Sequence, residues 1–288
     1  MRIELSGSLL KPEPQILRYD VLSPTGPNHI LDVKKYRDMG YTNFDVICIG
    51  AGGGRGGGIN TANSGTLVRS YGGEGGGGGF HRVHGVLSAL PDSVPIVAGL
   101  VGAAGAEHAS NPANCTDGGD GGASTFNATT CRASGGKGGK KVVTNDLVSS
   151  TQANGGDGGV GNRTPAGGGA SGGFCGTPGG TPGSNGTDGS IFQNLGKGGG
   201  GGAGGIGKYG GSGTTVLAAT NGGRGSYNPG DTSVYGPAGI ASDDPNTGSK
   251  TVVPGKASGA KAAPINGLPT VYGQSGTPGV VLLRLDAR

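Results

Sequence analysis

The sequence predicts a mainly β protein in which a bundle of polyglycine II helices is inserted between strands of one β domain. Three observations predict it. Glycine supplies 71 of the 288 residues, against a usual share of about 7%. Between about 107 and 267 many of those glycines keep a three-residue step. Strand-like apolar runs stand on both sides of that stretch, so the closing run has its partners only across it.

Composition limits what such a chain can build. Hydrophobic residues make up 32%, aromatics 5%, and there is no Trp. A side-chain core cannot extend along the whole length. The charged fraction is only 14%, low for a chain kept soluble by disorder. A glycine-dense chain of this kind is expected to satisfy its backbone internally. The net charge of +4 comes from 22 basic and 18 acidic residues. The basic residues are scattered, with the densest cluster at Lys137, Lys140 and Lys141. That is too sparse for a phosphate-tracking stripe with stacking aromatics, so nucleic acid is not expected as a partner.

Residues 1–42 have ordinary composition and form an N-terminal segment. IELSGSLL reads as extended, and Pro12, Pro14, Pro24 and Pro27 mark turns. Asp32 to Met39 predicts a short helix closed by Gly40. The start MRIELSGSLLKPEPQ has Glu4 and no continuous apolar stretch, so no export signal is expected. Residues 43–106 predict the first part of the β domain. NFDVICIG is a strand, and GFHRVHGVLSALPDSVPIVAGLVGA reads as two or three strands with a turn at Pro91-Asp92. VPIVAGLVGAAGA, at 94–106, is too short and too broken by glycine to cross a bilayer.

Residues 107–267 are the glycine-rich insertion. Gly180, Gly183, Gly186 and Gly189 keep the three-residue step. So do Gly198, Gly201, Gly204, Gly207, Gly210 and Gly213, the row read as the structural spine of the bundle. Three residues per turn is the period of polyproline II geometry, which has no hydrogen bonds within the chain. Collagen shares the period but needs one unbroken phase and abundant proline; here the phase breaks and Pro numbers 17. Polyglycine II helices remain, with backbones close enough to bond one another. Ordering glycine costs more entropy than ordering any other residue, so dense inter-helix hydrogen bonds must offset it. Residues 268–288 close the β domain, with a strand over Val280–Leu285.

FDVICIGAGGGRGGG also imitates a nucleotide fingerprint, because Gly52, Gly54 and Gly57 satisfy G-x-G-x-x-G. That motif needs a following helix whose N-terminus holds the pyrophosphate. INTANSGTLVRSYGGEGGGGGF has no helical period, so extended chain without nucleotide is expected. No Gly-Lys pair is followed by Ser or Thr, which excludes a Walker A loop. DGGDGG at 117–122 falls short of a calcium-repeat pattern. His81 and His84, three apart on a strand, face opposite ways and do not share a metal readily. No nucleophile elbow or carboxylate pair stands out. Catalytic, cofactor and metal sites are therefore not expected, and the chain is not read as an enzyme. Cys48 reads as a buried strand residue. Cys115 and Cys131 bracket a short loop that a disulfide could close in an oxidising setting.

At YTNFDVICIGAGGGRGGG the chain resembles the glycine-rich minor tail proteins of actinobacterial, mycobacteriophage-like siphophages. GGGGGFHRVHGVLSALPDSVPIVAGLVGAAGA and GTPGVVLLRL look like the strands that frame such domains. A wider similarity is to the polyglycine-rich tips of phage adhesins and to the glycine-rich ectodomain of anaplastic lymphoma kinase-type receptors. The resemblance implies a jelly-roll-like β-sandwich framing the polyglycine bundle. It further implies a virion protein of the phage tail, assembled in the host cytoplasm, with other tail proteins as partners. Fibre symmetry suggests a homotrimer. In that setting residues 1–42 are the expected docking segment. A dedicated adhesin is the alternative, reading host envelope glycans through loops, with Tyr227, Asn228 and Tyr235 as candidate contacts.

Overall fold

β-branched and aromatic residues in short runs, punctuated by glycine and proline, make strands. In the computed structural model the described residues are 11–21, 26–63, 66–70, 72–73, 75–108, 112–142, 154–161, 187, 191–192, 195–196, 206–209, 215–217 and 278–287. Their strands are β1 (Gln15–Asp20), β2 (Asn28–Asp32), β3 (Asn43–Ile49), β4 (Ile59–Asn63), β5 (Thr66–Ser70), β6 (Phe80–Val86) and β7 (Ser93–Val97). Later come β8 (Ser124–Phe126), β9 (Cys131–Ala133), β10 (Ile191–Phe192), β11 (Leu195–Gly196), β12 (Ile206–Tyr209), β13 (Thr215–Leu217) and β14 (Val280–Asp286).

The protein is mainly β, in antiparallel sheets. The α-helix found among the described residues, α1 (Val33–Asp38), has six residues. Asp32 caps it by accepting from the Lys35 N–H at 2.9 Å, satisfying one of the orphan donors of the first turn. Gly40 then turns the chain at φ +91°, a conformation a side chain resists. The predicted helix and its glycine stop both stand.

Two sheets share the main core. One has the order β1-β14-β3-β6-β11-β10, the other β2-β7-β8-β9. Val46, Cys48, Val281 and Leu283 come from the first; Leu31, Val94, Ile96, Phe126 and Cys131 come from the second. The closing strand β14 lies between β1 and β3, with Val281 opposite Cys48 and Leu283 opposite Val46. The expected pairing of the terminal strand with the early β region is therefore observed. On the far face of the same strands Ile47, Ile49, Phe80, Val280 and Leu282 form a second buried cluster. Burial on both faces explains why VICI and VVLL run apolar without alternating.

A third sheet has the order β13-β12-β5-β4. Its strands β4 and β5 pair antiparallel where a dinucleotide site would need a helix. Within it Gly207 lies in β12, opposite Arg69 and Val216. Gly207 was expected in the polyglycine row, and it pairs as a strand residue. Gly198, Gly201, Gly204, Gly210 and Gly213 lie outside the described residues.

Beyond Ile49 the pairing changes period. The N–H groups of Gly50, Gly53 and Gly56 donate to the carbonyls of Gly79, Gly76 and Gly73, each at 2.9 Å. Those of Ala51, Gly54 and Gly57 donate to Gly122, Gly119 and Thr116. The carbonyls of Gly52, Arg55 and Gly58 accept from Gly102, Gly105 and His108. The carbonyls of Ala51, Gly54 and Gly57 accept from Gly136, Gly139 and Val142. Segment 50–58 thus bonds to four neighbours, two antiparallel and two parallel, with a three-residue step to each. A β-strand alternates between two sides with a period of two and reaches two neighbours. Outside this centre, Ser134, Lys137 and Lys140 donate to Val160, Asp157 and Asn154 with the same step. The ladder draws on segments either side of residue 107.

Candidate interaction surface on the glycine ladder

Four neighbouring segments leave little room for side chains between backbones. A Cβ on Gly54 would overlap the Ala103 carbonyl oxygen, and one on Gly57 that of Ala106. Side chains therefore collect on outward rows, also three residues apart. Asp117 and Asp120 form one such row, Lys137 and Lys140 another. Their segments run antiparallel, tied by Gly118 N–H to Gly139 O and Gly121 N–H to Gly136 O. That register brings Lys137 Nζ to Asp120 Oδ2 at 2.6 Å and Lys140 Nζ to Asp117 Oδ2 at 2.9 Å.

The other carboxylate oxygens are used as well. Asp120 Oδ1 accepts from the Gly138 N–H at 2.9 Å, and Asp117 Oδ1 from the Lys141 N–H at 2.8 Å. Burial by itself would raise both carboxyl pKa values. The hydrogen bonds and ammonium charges outweigh it and hold both below the ordinary range. Lys140 is correspondingly raised, first through its hydrogen bond to Asp117. DGGDGG thus spends its two carboxylates on lysines. Among the described residues no group of three or more His, Cys, Asp or Glu side chains is placed to hold a metal ion.

These four side chains, with Asp157, Gly155 and Gly156, line a groove of about 440 Å³. Its walls carry alternating ammonium and carboxylate groups. Chemically such a groove offers paired donors and acceptors to a polar chain lying along it. A second groove, of about 470 Å³, crosses one end of the six-stranded sheet. There Arg82 grips Asp45 through two bonds, at 3.0 and 2.6 Å, and His84 and Asp286 complete the lining. Inside the ladder the buried Arg55 side chain is ion-paired with Glu107.

Cys115 and Cys131, the pair that a disulfide could join, are free thiols facing different interiors. Cys115 faces the ladder, where it donates to the Gly58 carbonyl and packs on Val142. Cys131 faces the core between the sheets, donating to the His81 carbonyl at 3.2 Å. The hairpin β8–β9 carries the second cysteine away from the first. His81 and His84 do lie on opposite faces: His81 Nδ1 is 3.1 Å from the Arg132 backbone, whereas His84 lines the groove beside Asp45. Tyr227, Asn228 and Tyr235 lie outside the described residues. The Asp–Lys rows escaped the sequence reading, though their signal was present: D-x-x-D and K-x-x-K repeat with the glycine period.

No curated protein matches the chain significantly. The glycine-rich domain family matches over residues 36–286. That match takes in strands β3 to β14 as well as the glycine segments between them, and the chain belongs to this family.

Proposed function

We propose that the chain is a structural virion protein of a phage tail tip or tail fibre, a minor tail protein contributing to host attachment. In this reading the three-residue ladder is a bundle of polyglycine II helices, and the two sheets sharing a core are its jelly-roll-like β-sandwich frame. The observation that carries the proposal is the set of four neighbours around segment 50–58. Backbone bonds in several directions make a stiff body without a side-chain core, which suits an extended part under mechanical load. The resemblance of YTNFDVICIGAGGGRGGG to siphophage tail proteins supplies the setting. Other tail proteins are then the partners, residues 1–42 the docking segment, and a homotrimer the assembly. The role is non-enzymatic, and the protein joins the virion in the host cytoplasm.

Gold-labelled antibody against the purified chain tests this on particles of a phage that encodes it. Label at the tail tip or fibre is the expected result; particles without label at either place would overturn it. The alternative is a dedicated adhesin for host envelope glycans, and the polar groove between Asp117 and Lys140 favours it. Binding of the isolated protein to envelope glycans, lost in Tyr227→Ala and Tyr235→Ala variants, would select the adhesin.

A further inference from the structure

Cys48 lies within β3 and Cys131 opens β9, so the two belong to different sheets. Both are fully buried. Cys48 Sγ donates to the Cys131 carbonyl at 3.5 Å, and Cys131 Sγ donates to the His81 carbonyl at 3.2 Å. Two residues past Cys48 the chain enters segment 50–58; three past Cys131 it enters 134–142. Those segments run parallel, joined by Gly136 N–H to Ala51 O, Gly139 N–H to Gly54 O and Val142 N–H to Gly57 O. The thiol pair therefore sits where both segments leave the β sheets.

We infer that Cys48 and Cys131 form a disulfide staple at the root of the glycine ladder when the chain folds in the presence of a disulfide oxidant. The staple joins residues 83 apart in sequence, and closing so long a loop restricts the unfolded chain strongly. It also fixes the register of two parallel segments whose glycines carry no side chains to set it.

The chemistry is thiol–disulfide exchange. In the folded chain burial would raise the Cys131 pKa, but hydrogen bonds from Cys48 and His81 hold it below the usual thiol value. Burial pushes the Cys48 thiol up. Before the fold closes neither shift applies, so either cysteine can supply the attacking thiolate. When Cys131 attacks, it cleaves the oxidant's S–S bond, forming a mixed disulfide and releasing one thiol. Cys48 then loses its proton and attacks the Cys131 sulfur, expelling the second thiol. Two protein thiols are oxidised by two electrons, and one small disulfide is reduced to two thiols. Because the folded chain shields both sulfurs, the reaction runs during folding.

The test is refolding of the reduced full-length chain with oxidised glutathione. Alkylation of the unfolded product should then label two of the four cysteines. Cleavage at Asp117 and Asp120 separates Cys115 from Cys131, and mass spectrometry should find a peptide pair linking Cys48 to Cys131. The thermal midpoint should rise by roughly 5 °C or more over the reduced protein. Cys115→Ala should keep the rise and Cys48→Ala should lose it. Labelling of all four cysteines, a link through Cys115 or Cys175, or an unchanged midpoint in the linked wild type would overturn the staple. The labelling and mapping use the wild-type chain, so they decide even if Cys48→Ala does not fold.

Discussion

The core between the sheets and the glycine ladder beside it are held by opposite means. Around Phe126, Leu283 and Ile96 stability comes from apolar side chains removed from water. Around Gly54 and Gly57 there are no side chains to bury, and backbone groups bond in several directions at van der Waals contact. One region is weakened by taking atoms away and the other by adding them. Both are buried interiors, yet their mutational responses should be mirror images.

Adding atoms to the ladder should have the largest effect. Gly54→Val drives a side chain into the Ala103 carbonyl and separates segments that bond on both sides. Each buried bond left unmade costs about 1–3 kcal/mol, so a loss of roughly 3 kcal/mol or more is expected in urea unfolding. A loss below about 1 kcal/mol would break the comparison. Next comes removal of atoms from the core. Leu283→Ala, at a fully buried position, should cost about 3 kcal/mol. If the ladder and the core are independent, the Gly54→Val and Leu283→Ala losses should add.

The Asp–Lys rows sharpen the contrast, since they lie on the ladder but act through side chains. Because these pairs are exposed, Asp117→Asn with Asp120→Asn should cost only about 1 kcal/mol in total at neutral pH. Both carboxyl pKa values are lowered by folding, so their contribution is complete above the unfolded value near 4. It disappears as pH falls through the lowered folded values. The difference between wild type and double variant should therefore shrink below about pH 4, as read from urea midpoints across pH. The smallest effect concerns a place in the β region where glycine would help. Ala128, in the β8–β9 turn, has φ +54°, a strained conformation for a residue with a Cβ. Ala128→Gly should raise stability by about 0.5 kcal/mol, measurable as a small upward shift in thermal midpoint.

What was legible in the sequence divides along the same line. DVICIG and VVLLRL could be read as strands because side-chain pattern marks them, and Asp32 with Gly40 framed α1 through their own cap chemistry. The meeting of β14 with β3 followed from the absence of a nearer partner. The neighbours of segment 50–58 could not be read, since glycine offers no size, charge or shape by which a partner is chosen. The three-residue step announced a bonding pattern while leaving its pairing open. Nearness in sequence offers Cys115 as a possible partner for Cys131; the contact of Cys131 with Cys48 depends on how β9 folds over the six-stranded sheet. D-x-x-D and K-x-x-K are visible in the sequence, but the pairing of Asp117 with Lys140 follows only from 116–122 and 134–140 running antiparallel.

The three-residue step also constrains how the protein can change length over generations. A segment such as 73–79 or 134–140 keeps its bonds only if it grows or shrinks by whole turns, which means nine nucleotides of coding sequence for each turn. Insertion of one or two residues would rotate every later glycine out of its contact and turn a side chain inward. Related chains should therefore differ within these segments by multiples of three residues, while their connecting loops vary freely.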